Sequence, residues 1–501
     1  MQTQLLLEMS AEAIGDREGY KTVEGGLSYG EAFRRAKGGA TFFHKLTGDT
    51  VAFLGHNGPA FPLALFAAGL AGKPFAPLNY RLADADLRKL VARTAPSIVI
   101  ADGNMATRVH GIDGVTIVTR EAFEAACNDE DNCCADLPYV DQDIAVLLFT
   151  SGTTGEPKAA VLRHGNLTSY VISTVEFMGA GEDEAALVSV PPYHIAGISA
   201  VLTGTYSGRR IAYLHSFAPD AWVQLAHAEK VTHAMVVPTM LARILDAMES
   251  MNIELPHLKA LSYGGGRMPQ SVIERAMKAL PGVDFVNAYG LTETSSTIAV
   301  LGPDDHRAAF SSDDANVRAR LGSVGKPLPS LELEIRGPDG STVLGSRESG
   351  EVYVRGEQVA GEYLHKKMLS DDGWFATNDS GWLDEDGYLF VEGRLDDVIV
   401  RGGENISPGE VEDVLRLHPS VRDVAVYGLP DDGWGEKVAC SLVVSGEQPT
   451  VAELGDWVKA RLRSTKTPEC WDFRDELPYN ETGKLLRRVL KAEQSKGSAD
   501  A

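Results

Sequence analysis

Short apolar runs punctuate the first half of the chain, at residues 50–54, 74–77, 97–101, 144–149, 186–190 and 233–237. Runs of this length, rich in Val, Ile and Phe and bounded by Gly, Pro and polar residues, predict buried strands. The segments between them carry helical spacing. The longest apolar stretch, Ala60 to Ala71, contains Pro62; it predicts a buried helix with proline in its first turn, too short to cross a bilayer. Alternating strands and helices predict an α/β fold of parallel sheets covered by helices. The pattern changes near residue 394. A short strand at 397–400 is followed by Ser407-Pro408-Gly409-Glu410, a capping-box pattern with proline at the first helical position, opening a helix to about Leu417. Strands at 421–427 and 437–444, a second helix capped by Thr450 with Glu453, and a third helix at 484–491 complete a small α+β unit. The expected organisation is a large N-terminal domain over 1–393, a hinge at 394–397 and a small C-terminal domain over 398–501.

Composition narrows the function. With 501 residues the chain is long for a single core, and 44% hydrophobic with 23% charged residues is ordinary for a soluble globular protein. A net charge of −23, spread along the chain, argues against nucleic acid or an anionic membrane as partner, since both need a basic footprint. Polyanionic small molecules remain open, because they need only a local cluster of cations and amides. The five cysteines, Cys127, Cys133, Cys134, Cys440 and Cys470, form no CxxC pair and no zinc spacing. They are expected as free thiols in a reducing compartment. The N-terminal segment lacks a basic start and a long apolar core, so no signal peptide is expected and the location expected is the cytoplasm.

The strongest chemical signal is LLFTSGTTGEPKAAVLRHGNL, residues 147–167. A buried strand runs into Thr150, Ser151, Gly152, Thr153, Thr154 and Gly155, with Lys158 after them. Glycines let backbone N–H groups turn toward an anion, hydroxyls add donors and a lysine neutralises charge. This chemistry suits a polyphosphate, but the spacing is not the GxxxxGK-Ser/Thr of P-loop NTPases.

On this loop and seven further motifs in order, the chain resembles the adenylate-forming enzymes: acyl-CoA synthetases, nonribosomal adenylation domains and beetle luciferases, and most of all the acyl-CoA synthetases. The motifs are HNGPAFPLALFAAGLAGKPFAPLNYRL (56–82), PPYHIAG (191–197), YGGGRMP (263–269), NAYGLTET (287–294), GWFATNDSGWLDEDGYL (373–389), GRLDDVIVRGGENISPGEVE (393–412) and LPYNETGKLLRRVL (477–490). The resemblance implies layered βα sheets with a small β-rich subdomain, and a mobile C-terminal domain. It also implies a two-step reaction, in which a carboxylate attacks ATP to give acyl-AMP and pyrophosphate and a thiol then displaces AMP. A carboxylate is already nucleophilic at neutral pH, so positioning and electrostatics carry the first step.

The same resemblance assigns roles. The loop from Thr150 to Lys158 would hold the β- and γ-phosphates, Thr292 would contact the α-phosphate and Glu293 would bind the Mg²⁺ of ATP. Asn287, Ala288 and Tyr289 would line the nucleotide site, with Tyr289 against the adenine and Gly265 and Gly266 close to it. Asp379, assisted by Arg394, would accept the ribose hydroxyls. Lys484 would bridge carboxylate and α-phosphate as their charges converge. Asp396 would be the pivot about which the small domain rotates, bringing Arg401, Gly402 and Gly403 beside the pantetheine of CoA. His194, Val237, Gly264, Gly265 and Gly290 would line the acyl pocket.

Two segments depart from the family pattern. Asn378 stands where glycine is usual, and Ala159-Ala160 follow Lys158 where Gly-Val is usual. The 191–197 segment lacks the aspartate that pairs with an amino-acid amine, so the expected substrate is an aromatic, alicyclic, terpenoid or medium-chain acid. Expected partners are ATP, that acid and CoA, with a carrier protein as the alternative acceptor. Self-association stays open. A luciferase-type oxidoreductase and a non-catalytic binding protein are the readings from other classes; the joint presence of Lys484, Glu293, Asp379 and Arg394 weighs against the second.

Overall fold

The computed structural model describes residues 1–22, 25–150, 157–431, 433–479 and 485–497. Among these residues an eight-stranded and a nine-stranded sheet form the large body, with a four-stranded antiparallel sheet beside them and a five-stranded sheet at the C-terminus. The chain is mixed α/β, as its apolar pattern predicts.

In the eight-stranded sheet Thr50–Leu54, Phe75–Pro77, Ser97–Ala101 and Val115–Thr119 run parallel. Ile144–Thr150 joins them in parallel and then turns back antiparallel through Lys158–Arg163. The second sheet carries Ala185–Val188, Arg210–Tyr213, His233–Val236, Ala260–Gly264 and Asp284–Leu291 in parallel. Helices Tyr29–His44, Ala60–Leu70, His164–Thr174 and Ile195–Ser207 share one apolar core with strands of both sheets. The outer faces are covered separately, by Pro219–Ala228, Pro238–Met251 and Gln270–Ala279 on one sheet and by Asp84–Ala92 on the other. The result is helix, sheet, helix, sheet, helix. Such layering leaves the ends of the parallel strands as the place where loops converge on a ligand.

The predicted strand at 97–101 is reproduced residue for residue, and 50–54 likewise. His233–Val236 stops one residue early because Val237 is the N-cap of a helix that Pro238 opens. In helix Ala60–Leu70, Pro62 occupies the first turn, where its missing N–H leaves no bond unmade.

The C-terminal unit differs more. The predicted strand at 397–400 is a 3₁₀ turn over Leu395–Asp397 and then a strand over Ile399–Arg401. Ser407 precedes helix Pro408–Arg416 but does not cap it. Its hydroxyl donates to the Glu392 carbonyl at 2.9 Å, across the junction between the two sheets. Thr450 does cap, accepting from Glu453 N at 3.2 Å. The last helix is Arg487–Gly497, later than the expected 484–491. Lys484 lies outside the described residues.

Among the described residues no helix is long and apolar enough to cross a membrane, and Cys127, Cys133, Cys134, Cys440 and Cys470 are free thiols.

Candidate active site

Three groups of expected site residues come together. Thr150 and Lys158 face each other as the last and first residues of adjoining antiparallel strands. Ser151, Gly152, Thr153 and Thr154, the middle of the proposed phosphate loop, lie outside the described residues. Glu293 sits in a 3₁₀ turn over Thr292–Thr294, buried at 9% exposure. Its carboxylate accepts from the Tyr363 phenol, and the Lys158 ammonium lies 5.7 Å from the centre of the Tyr363 ring. No motif had pointed to Tyr363: in the segment GEYL it reads as an ordinary half-buried strand tyrosine.

The second group is Tyr289, Asp379 and Arg394. Asp379 and Arg394 are cross-strand partners in the four-stranded sheet. The buried Asp379 carboxylate accepts from Tyr289 OH at 2.5 Å and pairs with Arg394 at 3.3 Å. Burial, followed by the neighbouring Asp379 charge, pushes the Tyr289 phenol well above its ordinary range, so it donates throughout physiological pH. Asn287 stands apart: its side-chain amide donates to Ser323 O at 3.0 Å, which ties the strand to a neighbouring loop.

Glycines decide the third group by close approach. A Cβ on Gly264 would lie 2.2 Å from Ala288 O, and one on Gly290 would lie 1.8 Å from Ser296 O. Neither gap admits a side chain, so both glycines are required by packing whatever their pocket role. Gly265, at φ +76°, leads into Gly266 beside Val237 and Pro238. Val237 borders a cavity of about 300 Å³ whose wall includes Tyr80, Ser189, His215, Phe217, Arg243 and, from the C-terminal unit, Tyr479. His194 is the N-cap residue of helix Ile195–Ser207 and does not line this cavity; its ring lies 4.6 Å from that of Tyr193, which packs on Tyr80 of the wall. The His215 ring stacks on His56 at 4.0 Å. His56 is held by Asp102, which Arg120 also binds. Burial alone would raise the Asp102 carboxyl, but the His56 hydrogen bond and the Arg120 charge lower it to about 2.

Arg401, Gly402 and Gly403 form a turn within the C-terminal unit, with Gly402 at φ +56° and Gly403 at φ +85°. Arg401 is bound by Thr465 O and Glu469, and Gly402 N donates to Trp434 O at 2.8 Å. Besides Ser407–Glu392, Arg267, next to the glycine loop, pairs with Asp413 of this unit, and the Asn378 amide donates to Asp396 Oδ2 of the hinge at 3.1 Å.

Asn378 has φ +60°. Asparagine tolerates this left-handed backbone, which accounts for its standing in for glycine, and it adds a bond that glycine cannot make. Asn378→Gly keeps the backbone and deletes the bond. An exposed charge-assisted contact is worth up to about 1 kcal/mol, so Asn378→Gly is expected to lower stability by no more than about that amount, which the melting temperature checks.

A buried carboxylate beside a lysine and a hydroxyl-bearing strand end is a hard-oxygen donor suited to Mg²⁺, which takes one or two carboxylates together with substrate phosphates. Glu293 would hold that ion, which would supply positive charge to a bound polyphosphate.

The architecture is two layered sheets with a small C-terminal unit whose Tyr479 reaches the cavity wall. The model of the "AMP-binding enzyme" family matches residues 7–364, and that of the "AMP-binding enzyme C-terminal domain" matches 410–484. Feruloyl-CoA synthase from Amycolatopsis is 35% identical over 89% of this chain and 88% of its own. 2-Succinylbenzoate–CoA ligase from Bacillus pumilus is 33% identical over 90% and 89%, and indoleacetate–CoA ligase from Aromatoleum aromaticum 31% over 87% and 86%. Among solved structures, o-succinylbenzoate CoA synthetase from Bacillus subtilis with its acyl-adenylate superposes at TM-score 0.81, 29% identical, covering 98% of each chain. The same enzyme with ATP and magnesium ion superposes at TM-score 0.83, 29% identical, over 97% of this chain and 99% of that one. The chain belongs to the AMP-binding enzyme family of adenylate-forming acyl-CoA synthetases. It is an AMP-forming acid–CoA ligase, using ATP with Mg²⁺ and CoA.

Proposed function

We propose that this enzyme activates a carboxylic acid carrying an aromatic ring and transfers the aryl-acyl group to CoA. The observation that carries this is the likeness, over about nine-tenths of the chain, to ligases named for feruloyl, succinylbenzoate and indoleacetate substrates, each with an aromatic ring. The ring-lined cavity bordered by Tyr80, His215, Phe217 and Tyr479 supports the same reading. Within it, the acid lies toward Val237, Gly265 and His194, ATP between the Thr150–Lys158 strands and the Tyr289–Asp379–Arg394 cluster, and Lys484 reaches the converging carboxylate and α-phosphate. After the small domain turns about Asp396, the Arg401–Gly403 turn flanks the pantetheine arm.

The test is pyrophosphate release from Mg-ATP over a panel of aryl, alicyclic and straight-chain acids, with and without CoA. Release confined to aryl acids, with aryl-acyl-CoA and AMP accumulating only when CoA is present, supports the proposal. Release that stops at bound adenylate despite CoA moves the acceptor to a carrier-protein thiol. Asp379→Asn checks the nucleotide assignment. Losing a charge-assisted contact to the ribose is expected to raise KM for ATP by about tenfold or more, with KM for the acid unchanged.

A further inference from the structure

Glu293 is held at both ends by one short stretch of chain. Its backbone carbonyl accepts from Ala360 N at 2.9 Å and Gly361 N at 3.0 Å. Its carboxylate Oε1 accepts from the phenol of Tyr363, two residues further on. The same stretch is fastened to the phosphate-loop strand. Tyr363 is the register partner of Ala160, and Leu364 N donates to Ala159 O at 2.8 Å. Arg163, on that strand, donates from Nε and Nη2 to the intervening Glu362 at 2.9–3.0 Å. The Tyr363 ring lies under the Lys158 ammonium. One tyrosine of the eight-stranded sheet therefore links Lys158 of the same sheet to Glu293 in the 3₁₀ turn.

We propose that Tyr363 is a positioning residue: its phenol fixes the Glu293 carboxylate in one rotamer, with Oε2 turned to receive the magnesium ion that accompanies ATP. This rests on Glu293 being the ion's carboxylate ligand. A carboxylate this buried has surrendered most of its water, so a single fixed donor both satisfies one oxygen and removes the rotamer freedom that ion binding would otherwise have to quench. Outer partners that orient a ligating side chain commonly govern metal affinity by 10–100-fold (about an order of magnitude at the lower end). The phenol does this while its ring supports Lys158, which places cation, carboxylate and lysine in fixed relation before ATP arrives.

Tyr363→Phe separates these duties, keeping ring and strand pairing while deleting the hydroxyl. The probe is Mn²⁺, titrated by electron paramagnetic resonance into the full-length enzyme with a non-hydrolysable ATP analogue. The expected result is Mn²⁺ binding weakened about tenfold. Metal-free affinity for the analogue and melting temperature should stay close to the parent, and KM for Mg²⁺ should rise by more than kcat falls. A general packing role would lower melting temperature and kcat together, and would overturn the proposal. Glu293→Gln is measured alongside. If it weakens Mn²⁺ binding while Tyr363→Phe binds as tightly as the parent, or tighter, the positioning role is wrong and the ligand assignment stands. If Glu293→Gln leaves Mn²⁺ affinity unchanged, the ligand assignment fails, and the positioning role with it.

Discussion

Lys484→Ala is expected to slow adenylate formation by about 10²–10³-fold, the usual loss when one preorganised cationic or hydrogen-bonding group is taken from a developing charge. Thioester formation from supplied acyl-AMP should change little. The reasoning is electrostatic. Carboxylate and triphosphate repel each other, and the reaction brings them to bonding distance, so a cation between them stabilises the transition state more than either ground state. Tyr479 and Leu485, the described residues flanking the 480–484 segment, pair with each other, and Tyr479 lines the cavity proposed for the acid. Tyr479 is itself anchored, donating to Asp423 at 2.8 Å. Lys484→Arg should not restore the rate, because a planar guanidinium spreads its charge over a broad fork and presents it differently from a compact ammonium. Single-turnover formation of acyl-AMP measures the first effect, and thiol capture of synthetic acyl-AMP the second. Equal damage to both half-reactions would mean that the lysine serves the fold or the whole cycle and not the first step alone.

What could be read in advance follows from how local each feature is. Strand 97–101 is five apolar or small residues between turn formers, so its neighbours in sequence decide it. The glycine motifs were legible because close backbone approach admits no other residue, as the Ala288 and Ser296 carbonyls against Gly264 and Gly290 now explain. Asp379 and Arg394 were found through their motifs, and their cross-strand pairing supplies the physical reason they occur together. Features set by distant partners stayed hidden. Tyr363 matters because Glu293 is 70 positions away in sequence, and nothing local marks it. Ser407 carries a perfect cap pattern, yet a carbonyl 15 residues earlier claims its hydroxyl. Asn378 looked like a departure of unknown consequence. Its left-handed φ and its bond to Asp396 turn it into a fitted residue.

Asp396→Pro should produce the converse phenotype to Lys484→Ala: adenylation largely retained, and thioester formation slowed by about 10²-fold, the loss that follows when a reacting group is held about 1 Å or more out of place. Asp396 lies in the 3₁₀ turn Leu395–Asp397, between the four-stranded sheet ending at Arg394 and the C-terminal sheet beginning at Ile399. Proline locks φ near −65°, a value the 3₁₀ turn accepts, but a large rotation of one unit about this point needs backbone angles that proline forbids. The present arrangement, with Tyr479 at the cavity and Asn378 bonded to Asp396, is the one such a lock would favour. Proline also constrains Leu395 before it, so Asp396→Ala is the control: it loses the same carboxylate and keeps a free backbone. If the alanine variant matches the proline variant in both half-reactions, the carboxylate and not the pivot is what matters. If alanine restores thioester formation while proline does not, backbone rotation at residue 396 is what the second half-reaction requires, and the two steps share one site by turn.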